Sequence, residues 1–441
     1  MLGTFTIVAR RRPVDLVAPD FCSVEEAGGG RWALAQPAPY AATTAELAAP
    51  REAALALTSG DTGLVCRLAD GVLSLRVEAG GLTTHHRSRR FGAVGERPKA
   101  LALTLTGTHL TGLVREQGRW VARARYDLAE RLDSRDEGWC AGLAVEATGA
   151  VGEVRAGAFG QLGLRDVRLV TEADGAPVRD GDRLLLTATH AGPGFFDAAH
   201  TGVWSLDPDG WVAEHRADLF FRRPARPGVY GDNATHLVRD GRRWLVATST
   251  WGDFDKARRD ATVAVTLAET DANLLIGRHV LDTRPLRLPT DGLSSVGVWD
   301  PHLVRIEGRW HVGFVSATRW FKFHPALAAG ETLDDLALVG ADPSRTATEG
   351  TTLLEVDGGW VVLASDGRHG PRERRTGFPV FDLAMRQSGG LDAPYPTNIP
   401  WPTLVRTGDG WTLVTFDGTP IGGGLVGYGT HGDLVVARAG R

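Results

Sequence analysis

The sequence is poor in cysteine, methionine and lysine, and it contains no long apolar run. Its 441 residues include three cysteines, Cys22, Cys66 and Cys140, which lie far apart with no CxxC pair. This spacing argues against a zinc module, and the odd count argues against a disulfide framework. No stretch approaches the roughly 20 apolar residues of a membrane helix. A membrane partner is therefore not expected.

The sequence also lacks a surplus of positive charge. Acidic residues outnumber basic ones by 53 to 49, which gives a formal net charge of −4. Nucleic-acid-binding proteins normally carry a basic surplus, so no nucleic-acid partner is expected. The first residues, MLGTFTIVARRRPVDLV, place arginines after a short apolar run, whereas a secretory signal has them before a longer one. We expect a cytoplasmic protein, or a secreted one if a leader has been removed. Nothing in the sequence indicates an oligomeric state.

Helical periodicity is scarce, whereas turn-forming residues are abundant. Many of the 56 glycines follow Asp, Glu or Gly between short alternating runs such as GVLSLRVEAG and ALALTLTGTHLTGLV. Alternation with a period of two, bounded by such pairs, is typical of strands joined by tight turns. The sequence therefore predicts an all-β protein.

An internal repeat divides the chain into two parts. Five segments share a short apolar strand, a glycine turn and a second strand, and they are 164–189, 232–250, 299–318, 348–367 and 401–418. Each repeat has room for four strands, and radial repetition of four-stranded sheets produces a β-propeller. We predict a five-bladed β-propeller over residues 161–441. A jelly-roll (concanavalin-like) β-sandwich is predicted to precede it, over residues 1–160.

Acidic residues recur where the first strand of a blade begins, at the end of the channel where ligands bind. The equivalent positions hold Asp166, Asp232 or Asn233, Asp300, Glu349 and Trp401, with the register of Glu349 open by one residue. Carboxylates that share a pocket repel one another, so one keeps its proton while another is ionised near neutral pH. Glycosidic cleavage needs such a pair. The alternative interpretation is that each carboxylate only caps a turn.

Aromatic and polar residues near the same strand starts are candidate substrate-binding groups. Trp299, Trp401 and Phe196, with Trp251, Trp320 and Phe195, stand where a ring can stack on the apolar face of a sugar. Asp232, Asn233, His190 and His302 are the polar candidates. Trp244, Trp310, Trp360 and Trp411 recur at one position in four blades, so we interpret them as core between blades.

Residues 164–436 resemble the five-bladed propeller glycoside hydrolases, the group of arabinanases, xylosidases and invertases. The resemblance is carried by RDV at 165–167, by WDPHLV at 299–304, which is similar to the invertase-type RDP motif, and by EGT at 349–351. It implies that Asp166 is the base or nucleophile, that Asp300 orients the site and that Glu349 is the acid. Val167 and Thr351 stand where the family usually has proline.

The resemblance also bears on cofactors. It implies no required cofactor, although a structural Ca²⁺ or a water cluster in the channel is compatible with it. Arabinanases of this kind often keep a histidine near that metal or water, and His431 is the candidate for that position.

The leading hypothesis is a glycosidase that cleaves furanoside or pentose linkages in arabinan-like or xylose-containing glycans. The alternative is a non-hydrolytic glycan-binding propeller, or a biosynthetic enzyme with the same carboxylate-lined pocket. The departures from the family motifs and the lack of a recognisable signal peptide favour that alternative. A protein-interaction propeller is the third hypothesis, and it predicts a large exposed apolar face.

Overall fold

The computed structural model describes residues 2–13, 20–49, 52–95, 97–159, 163–408, 410–427 and 432–439. Strands dominate these ranges, which confirms the all-β prediction. The helical segments described are α1 (Glu137–Ala141) and two 3-10 turns, Phe196–Ala198 and Trp251–Asp253. Within the described ranges, no helix is long and apolar enough to cross a membrane.

The N-terminal third of the chain contains one separate strand and two six-stranded sheets. The strands are β1 (Phe5–Arg11), β2 (Asp20–Ala27), β3 (Gly30–Ala33), β4 (Tyr40–Leu47), β5 (Ala53–Ser59), β6 (Thr62–Ala69), β7 (Val72–Ala79), β8 (Leu82–His86), β9 (Ala100–Thr106), β10 (His109–Glu116), β11 (Arg119–Asp127), β12 (Ala144–Gly149) and β13 (Val151–Ala158). One sheet has the order β11-β10-β9-β4-β13-β2, and the other has the order β3-β12-β5-β6-β7-β8.

A single apolar core lies between these two sheets. In β7, Leu73, Leu75 and Val77 are buried in this core and alternate with more exposed residues. They pack in the same cluster as Leu103 and Leu110 of the opposite sheet. Alternation of buried and exposed side chains is what a sheet needs when only one face is covered. The two sheets therefore form a β-sandwich, and its jelly-roll connectivity stays a prediction.

The remaining strands form five further sheets, one for each sequence repeat. They are β14 (Leu164–Leu169), β15 (Thr171–Glu172), β16 (Arg179–Asp180), β17 (Arg183–His190), β18 (His200–Leu206), β19 (Ala213–Arg223), β20 (Arg226–Tyr230), β21 (Asn233–Asp240), β22 (Arg243–Ser249), β23 (Val265–Thr270), β24 (Gly277–Asp282), β25 (Arg284–Pro285), β26 (Gly297–Ile306), β27 (Arg309–Arg319), β28 (Lys322–Gly330), β29 (Ala337–Ala341), β30 (Thr348–Val356), β31 (Gly359–Asp366), β32 (Phe378–Phe381), β33 (Gln387–Leu391), β34 (Thr403–Thr407), β35 (Gly410–Asp417) and β36 (Asp433–Ala439).

These sheets follow one another along the chain as blades. Blade one has the order β14-β17-β18-β19-β20, with β16 and β24 paired to it, and blade two has the order β15-β21-β22-β23-β25. Blades three and four consist of β26 to β29 and of β30 to β33, each in chain order. Blade five has the order β34-β35-β36-β1.

Blade five is completed by a strand from the other end of the chain. Strand β1 pairs antiparallel with β36, so that Phe5 lies opposite Ala439 and Arg11 opposite Leu434. This strand therefore belongs to the propeller sheet, which differs from the predicted sandwich of residues 1–160. The sequence FTIVARR is compatible with a strand in the sandwich or in the propeller. The pairing with β36 assigns this strand to the propeller. The pairing covers the outer edge of β36 and gives blade five its fourth strand.

Apolar clusters connect the blades in a closed ring. Separate buried clusters join blades one and two, two and three, three and four, four and five, and five and one. In the last of these, Val405 and Val414 of blade five pack with Leu164 and Leu186 of blade one. The five-bladed propeller is therefore confirmed. The recurring tryptophans take part in these clusters, since Trp244 and Trp310 are buried in them and Trp360 and Trp411 pack at their edges.

The sandwich packs against blades one and two. Tyr40 lies in a buried cluster with Phe220 and Val229 of blade one, and its hydroxyl donates to the carbonyl oxygen of Ala199 at 2.8 Å. Arg135 donates to the carbonyl oxygen of Gly252 at 2.7 Å. Both acceptors belong to the loops that carry the two 3-10 turns, so the sandwich supports these loops from outside.

Candidate active site

The innermost strands of blades one to four share a β-bulge at the same position. The register shifts after Arg165, Asn233, Trp299 and Glu349. The following residue has a left-handed backbone in each blade, with φ of 51° at Asp166, 58° at Ala234, 57° at Asp300 and 72° at Gly350. A bulge of this kind bends its strand and changes the direction of its side chains. The shared bulge therefore determines which residues face the end of the channel.

The bulges resolve the register of Glu349. Gly350, rather than Glu349, is equivalent to Asp166 and Asp300, and Glu349 is equivalent to Trp299. Glycine adopts positive φ without steric cost, and aspartate tolerates it better than most residues. Gly350 also leaves room for Trp401, because a Cβ at this glycine would lie 2.5 Å from the Cδ1 atom of the indole.

The three candidate acids line a single cavity. Its volume is about 390 Å³, which lies within the usual range of small-molecule sites. Asp166 and Asp300 are 5% and 2% exposed, and Glu349 is half-buried. Eight aromatic side chains form much of the wall, namely Phe195, Phe196, Trp251, Trp299, Trp320, Phe321, Phe323 and Trp401. Blades one, three and four thus each contribute one carboxyl group to an aromatic pocket.

The pocket makes deprotonation of two of these acids unfavourable. Burial, followed by the negative charge of Asp166, raises the pKa of Glu349 to about 7, although Arg165 and two indole N–H groups act in the opposite direction. Burial also raises the pKa of Asp300 well above its ordinary value, and the charges of Glu349 and Asp166 add to this effect. The Nε atom of Arg165 lies 3.2 Å from the carboxylate of Asp166. The arrangement can therefore hold a proton on Glu349 beside the carboxylate of Asp166 near neutral pH.

A buried arginine connects the strands that carry the acids. The Nη1 atom of Arg168 donates to the carbonyl oxygen of Thr351 at 2.9 Å, and its Nη2 atom donates to that of Asp300 at 3.0 Å. Its guanidinium also lies 4.4 Å from the ring of Trp401. Burial lowers the pKa of Arg168 to about 10, while the charges of Asp300 and Asp166 oppose this effect. A completely buried cation needs such partners, and here they come from blades three, four and five.

Four of the predicted substrate-binding residues line the cavity, and Arg168 was missed. Asn233, Trp299, Trp401 and Phe196 all contribute to its wall. Arg168 could have been found as the one arginine at a position where the other blades have His236, His302, Thr352 and Thr403. Phe321, Lys256, His369 and Asn398 in loops, and Phe323 at the start of β28, also line the cavity but lie outside the repeated motif and were not predicted.

Three other predicted residues lie outside the cavity wall. Asp232 is fully buried, forms an ion pair with Arg223 and accepts a hydrogen bond from the backbone N–H of Gly252 at 3.1 Å. His302 stacks on His236 with ring centroids 4.1 Å apart, deeper in the channel. Nδ1 of His302 also accepts a hydrogen bond from the backbone N–H of Leu353 at 3.3 Å. Both side chains are thus engaged within the fold rather than in the pocket. The predicted metal-binding residue His431 lies outside the described residues.

His190, the third of them, belongs to a buried cluster inside blade one. His190, His215 and Asp218 lie close enough together to reach one metal ion. However, the indole N–H of Trp204 donates to Nε2 of His190 at 2.6 Å. The neutral ring then carries its proton on Nδ1, which leaves it no free lone pair for a metal. The cluster is better described as hydrogen bonds around the carboxylate of Asp218, which also lies 3.0 Å from Nε2 of His215.

The chain was compared with family models, curated proteins and solved structures, and only the solved structures gave matches. No family model matches the chain, and no curated protein matches it. Among solved structures, the GH32 β-fructofuranosidase of Bombyx mori is 14% identical with a TM-score of 0.44, and the match covers 62% of this chain and 59% of that protein. The GH43_1 enzyme of Xanthomonas citri, solved with xylose, is 14% identical with a TM-score of 0.41, over 63% of this chain and 88% of that one.

A third match is the inulosucrase of Halalkalicoccus jeotgali bound to kestose. It is 16% identical with a TM-score of 0.45, over 58% of this chain and 76% of that protein. The matched structures are carbohydrate-active enzymes, like the group that the sequence motifs resemble. Because all three TM-scores lie below 0.5, the fold assignment depends on the sheets and clusters described above.

Proposed function

We propose that the protein is a glycosidase whose active site is the aromatic cavity at the mouth of the propeller channel. The observation that carries this proposal is the meeting of Asp166, Asp300 and Glu349, from three blades, in one pocket where Glu349 has a pKa of about 7. Two carboxyl groups with different protonation states are what glycosidic cleavage requires.

Each acid has a distinct role in the proposed reaction. Glu349 gives its proton to the glycosidic oxygen, so that this oxygen leaves as a hydroxyl group with the electrons of the broken C–O bond. Asp166 either attacks the anomeric carbon or takes a proton from a water molecule that does so. Asp300 is buried within electrostatic range of both groups, and its raised pKa reduces the charge that they face. Arg168 is a positioning residue, because it bonds the backbones of blades three and four.

The proposed substrates are furanosides or pentosides, as in arabinan-like or xylose-containing glycans. This preference is supported by the resemblance of the RDV, WDPHLV and EGT motifs. The aromatic walls support a sugar ligand in general, because flat rings can cover the apolar C–H face of a sugar. Trp299 and Trp401 line the cavity and both interact with Glu349, so they are placed to hold the ring that reacts.

The test is to replace the acids conservatively and assay two kinds of substrate. Glu349→Gln should lower the hydrolysis of unactivated arabino- and xylo-oligosaccharides by roughly 10²- to 10⁴-fold, because general acid catalysis is lost. The loss should be smaller on nitrophenyl glycosides, whose leaving group needs little protonation. Asp166→Asn should abolish activity on both kinds of substrate.

The matched control is Glu355→Gln, which changes an exposed glutamate on the same strand as Glu349. It should leave activity unchanged. Full activity in the Glu349 and Asp166 variants would exclude the assignment. Saccharide binding by the wild-type protein without turnover of any substrate would instead favour the glycan-binding alternative.

A further inference from the structure

Three loops with many basic residues surround the mouth of the cavity. They are residues 255–260, 319–322 and 368–375, which we call the basic rim. Each loop contributes to the cavity wall, through Lys256, through Trp320 and Phe321, and through His369. The rim is therefore part of the same site as the acids, although it comes from different segments of the chain.

The charge of the rim is opposite to that of the whole chain. Its three loops contain nine arginine or lysine residues and three acidic ones, whereas the chain has a net charge of −4. Two of the three lysines in the chain, Lys256 and Lys322, lie in these loops. When charges of one sign line the mouth of a cavity, they concentrate the electric field there and attract ligands of the opposite charge.

Within the described residues, most of these cations have no carboxylate partner. Arg258 pairs with Asp260, and Arg374 lies near Asp342. Among the described residues, no carboxylate forms an ion pair with the exposed side chains of Lys256, Arg319, Lys322, Arg368, Arg372 and Arg375. Elsewhere on the protein arginines pair repeatedly with carboxylates, as Arg222 does with Glu137. Arg375 donates from Nε to the carbonyl oxygen of Gly370 at 2.6 Å, and the ammonium group of Lys256 lies 5.6 Å from the ring centroid of Phe321. These contacts do not neutralise the positive charges, so an anionic ligand is a suitable partner for them.

We propose that the substrate is an acidic oligosaccharide, with a neutral sugar at the cavity floor and a carboxylate or sulfate group on a neighbouring unit at the rim. This inference rests on the proposed function. The floor holds Asp166, Asp300 and Glu349, so an anionic group on the reacting sugar would be repelled there. The rim offers Lys256 in the cavity wall, and the exposed Arg319 and Arg368 are next in sequence to Trp320 and His369 of that wall, so a negative charge is attracted there.

The first measurement compares acidic and neutral ligands of the same length. Calorimetry would give the affinity of the Glu349→Gln protein for xylo-oligosaccharides that carry glucuronic acid, for the same compounds after methyl esterification, and for sulfated ones. We expect the acidic forms to bind about tenfold more tightly at low salt, as a few exposed charge pairs allow. This preference should shrink at 0.3 M salt, because exposed charges are screened.

The second measurement uses a rim variant with Lys256→Gln, Arg319→Gln and Arg368→Gln. It should lose the preference for the acidic ligand and keep its affinity for the neutral ester. The control variant, with Arg87→Gln, Arg89→Gln and Arg119→Gln, removes three exposed arginines from the sandwich and should keep the preference.

Several outcomes would overturn this inference. They are equal affinity for acidic and esterified ligands, loss of the preference in the control variant, no saccharide binding at all, or tighter binding of a single-stranded oligonucleotide. If the rim variant fails to fold, the salt dependence of the parent protein decides the question. Binding does not depend on turnover, so hydrolysis without a charge preference contradicts only this inference. A charge preference without hydrolysis contradicts only the proposed function.

Discussion

Replacement of Glu349 by glutamine should make the protein more stable at alkaline pH, although it removes the proposed acid. In the folded protein the pKa of Glu349 is raised from 4.5 to about 7, mainly by burial. Between these two values the folded protein binds a proton that the unfolded chain does not. Stability therefore falls as the pH rises. The contribution of this proton is complete below about pH 4.5 and is lost as the pH rises through about 7.

The size of the effect follows from the same two values. One pKa unit corresponds to about 1.36 kcal/mol, so the difference between 4.5 and about 7 sets an upper bound of about 3 kcal/mol. Glu349 is partly open to the cavity, and solvent screening reduces the figure to about 2 kcal/mol. Glutamine has the same shape and does not titrate. The variant should thus avoid this loss.

Urea unfolding at pH 5 and pH 8, followed by tryptophan fluorescence, measures the effect. The free energy of unfolding of the wild-type protein should fall by about 2 kcal/mol more between these pH values than that of Glu349→Gln. The control Glu355→Gln should behave like the wild type. In Glu349→Gln, Asp300 no longer faces the charge of Glu349, so its own pKa is raised less, and this change adds to the difference in the same direction. An identical pH dependence in wild type and Glu349→Gln would show that this carboxyl group is not protonated in the folded protein at pH 5 to 7, and the reasoning would be refuted.

Four further results are expected. Hydrolysis should decline above about pH 7, as the proton of the acid is lost, and a kcat/KM profile that stays flat to pH 9 would contradict this. Arg168→Met should destabilise the protein by about 3 kcal/mol in urea unfolding and lower kcat, because buried acceptors lose their donor. Gly350→Ala should lower both stability and activity because its Cβ meets Trp401, whereas Gly358→Ala, at a similar φ with open space around it, should lose only about 1–2 kcal/mol. Phe5→Ala should cost about 3–5 kcal/mol by opening a cavity between blades four and five, and unchanged thermal unfolding would argue against closure of the ring by β1.

The features that were predicted correctly are those with local causes. Glycine turns and period-two alternation depend on neighbouring residues, so the strands and the five repeats could be recognised without knowing their partners. The pairing of β1 with β36 could not be recognised in this way, since residues 5 and 439 are separated by almost the whole chain. Asp232 was misjudged for a similar reason. Its partner Arg223 is not part of the repeated motif, and nothing in the motif indicates a buried ion pair.

The alternation of side chains along a regular strand does not predict which residues line the cavity. In a regular strand neighbouring residues point to opposite faces, yet Arg165 with Asp166, and Trp299 with Asp300, line the same cavity as consecutive pairs. The left-handed bulges make this possible, at a cost of roughly 1–2 kcal/mol for each non-glycine residue at positive φ. The strain recurs in three blades at the residues that reach the cavity, and blade four avoids it with Gly350. In blades one to three the bulge thus brings two consecutive residues to the pocket, whereas regular alternation would bring only one of them.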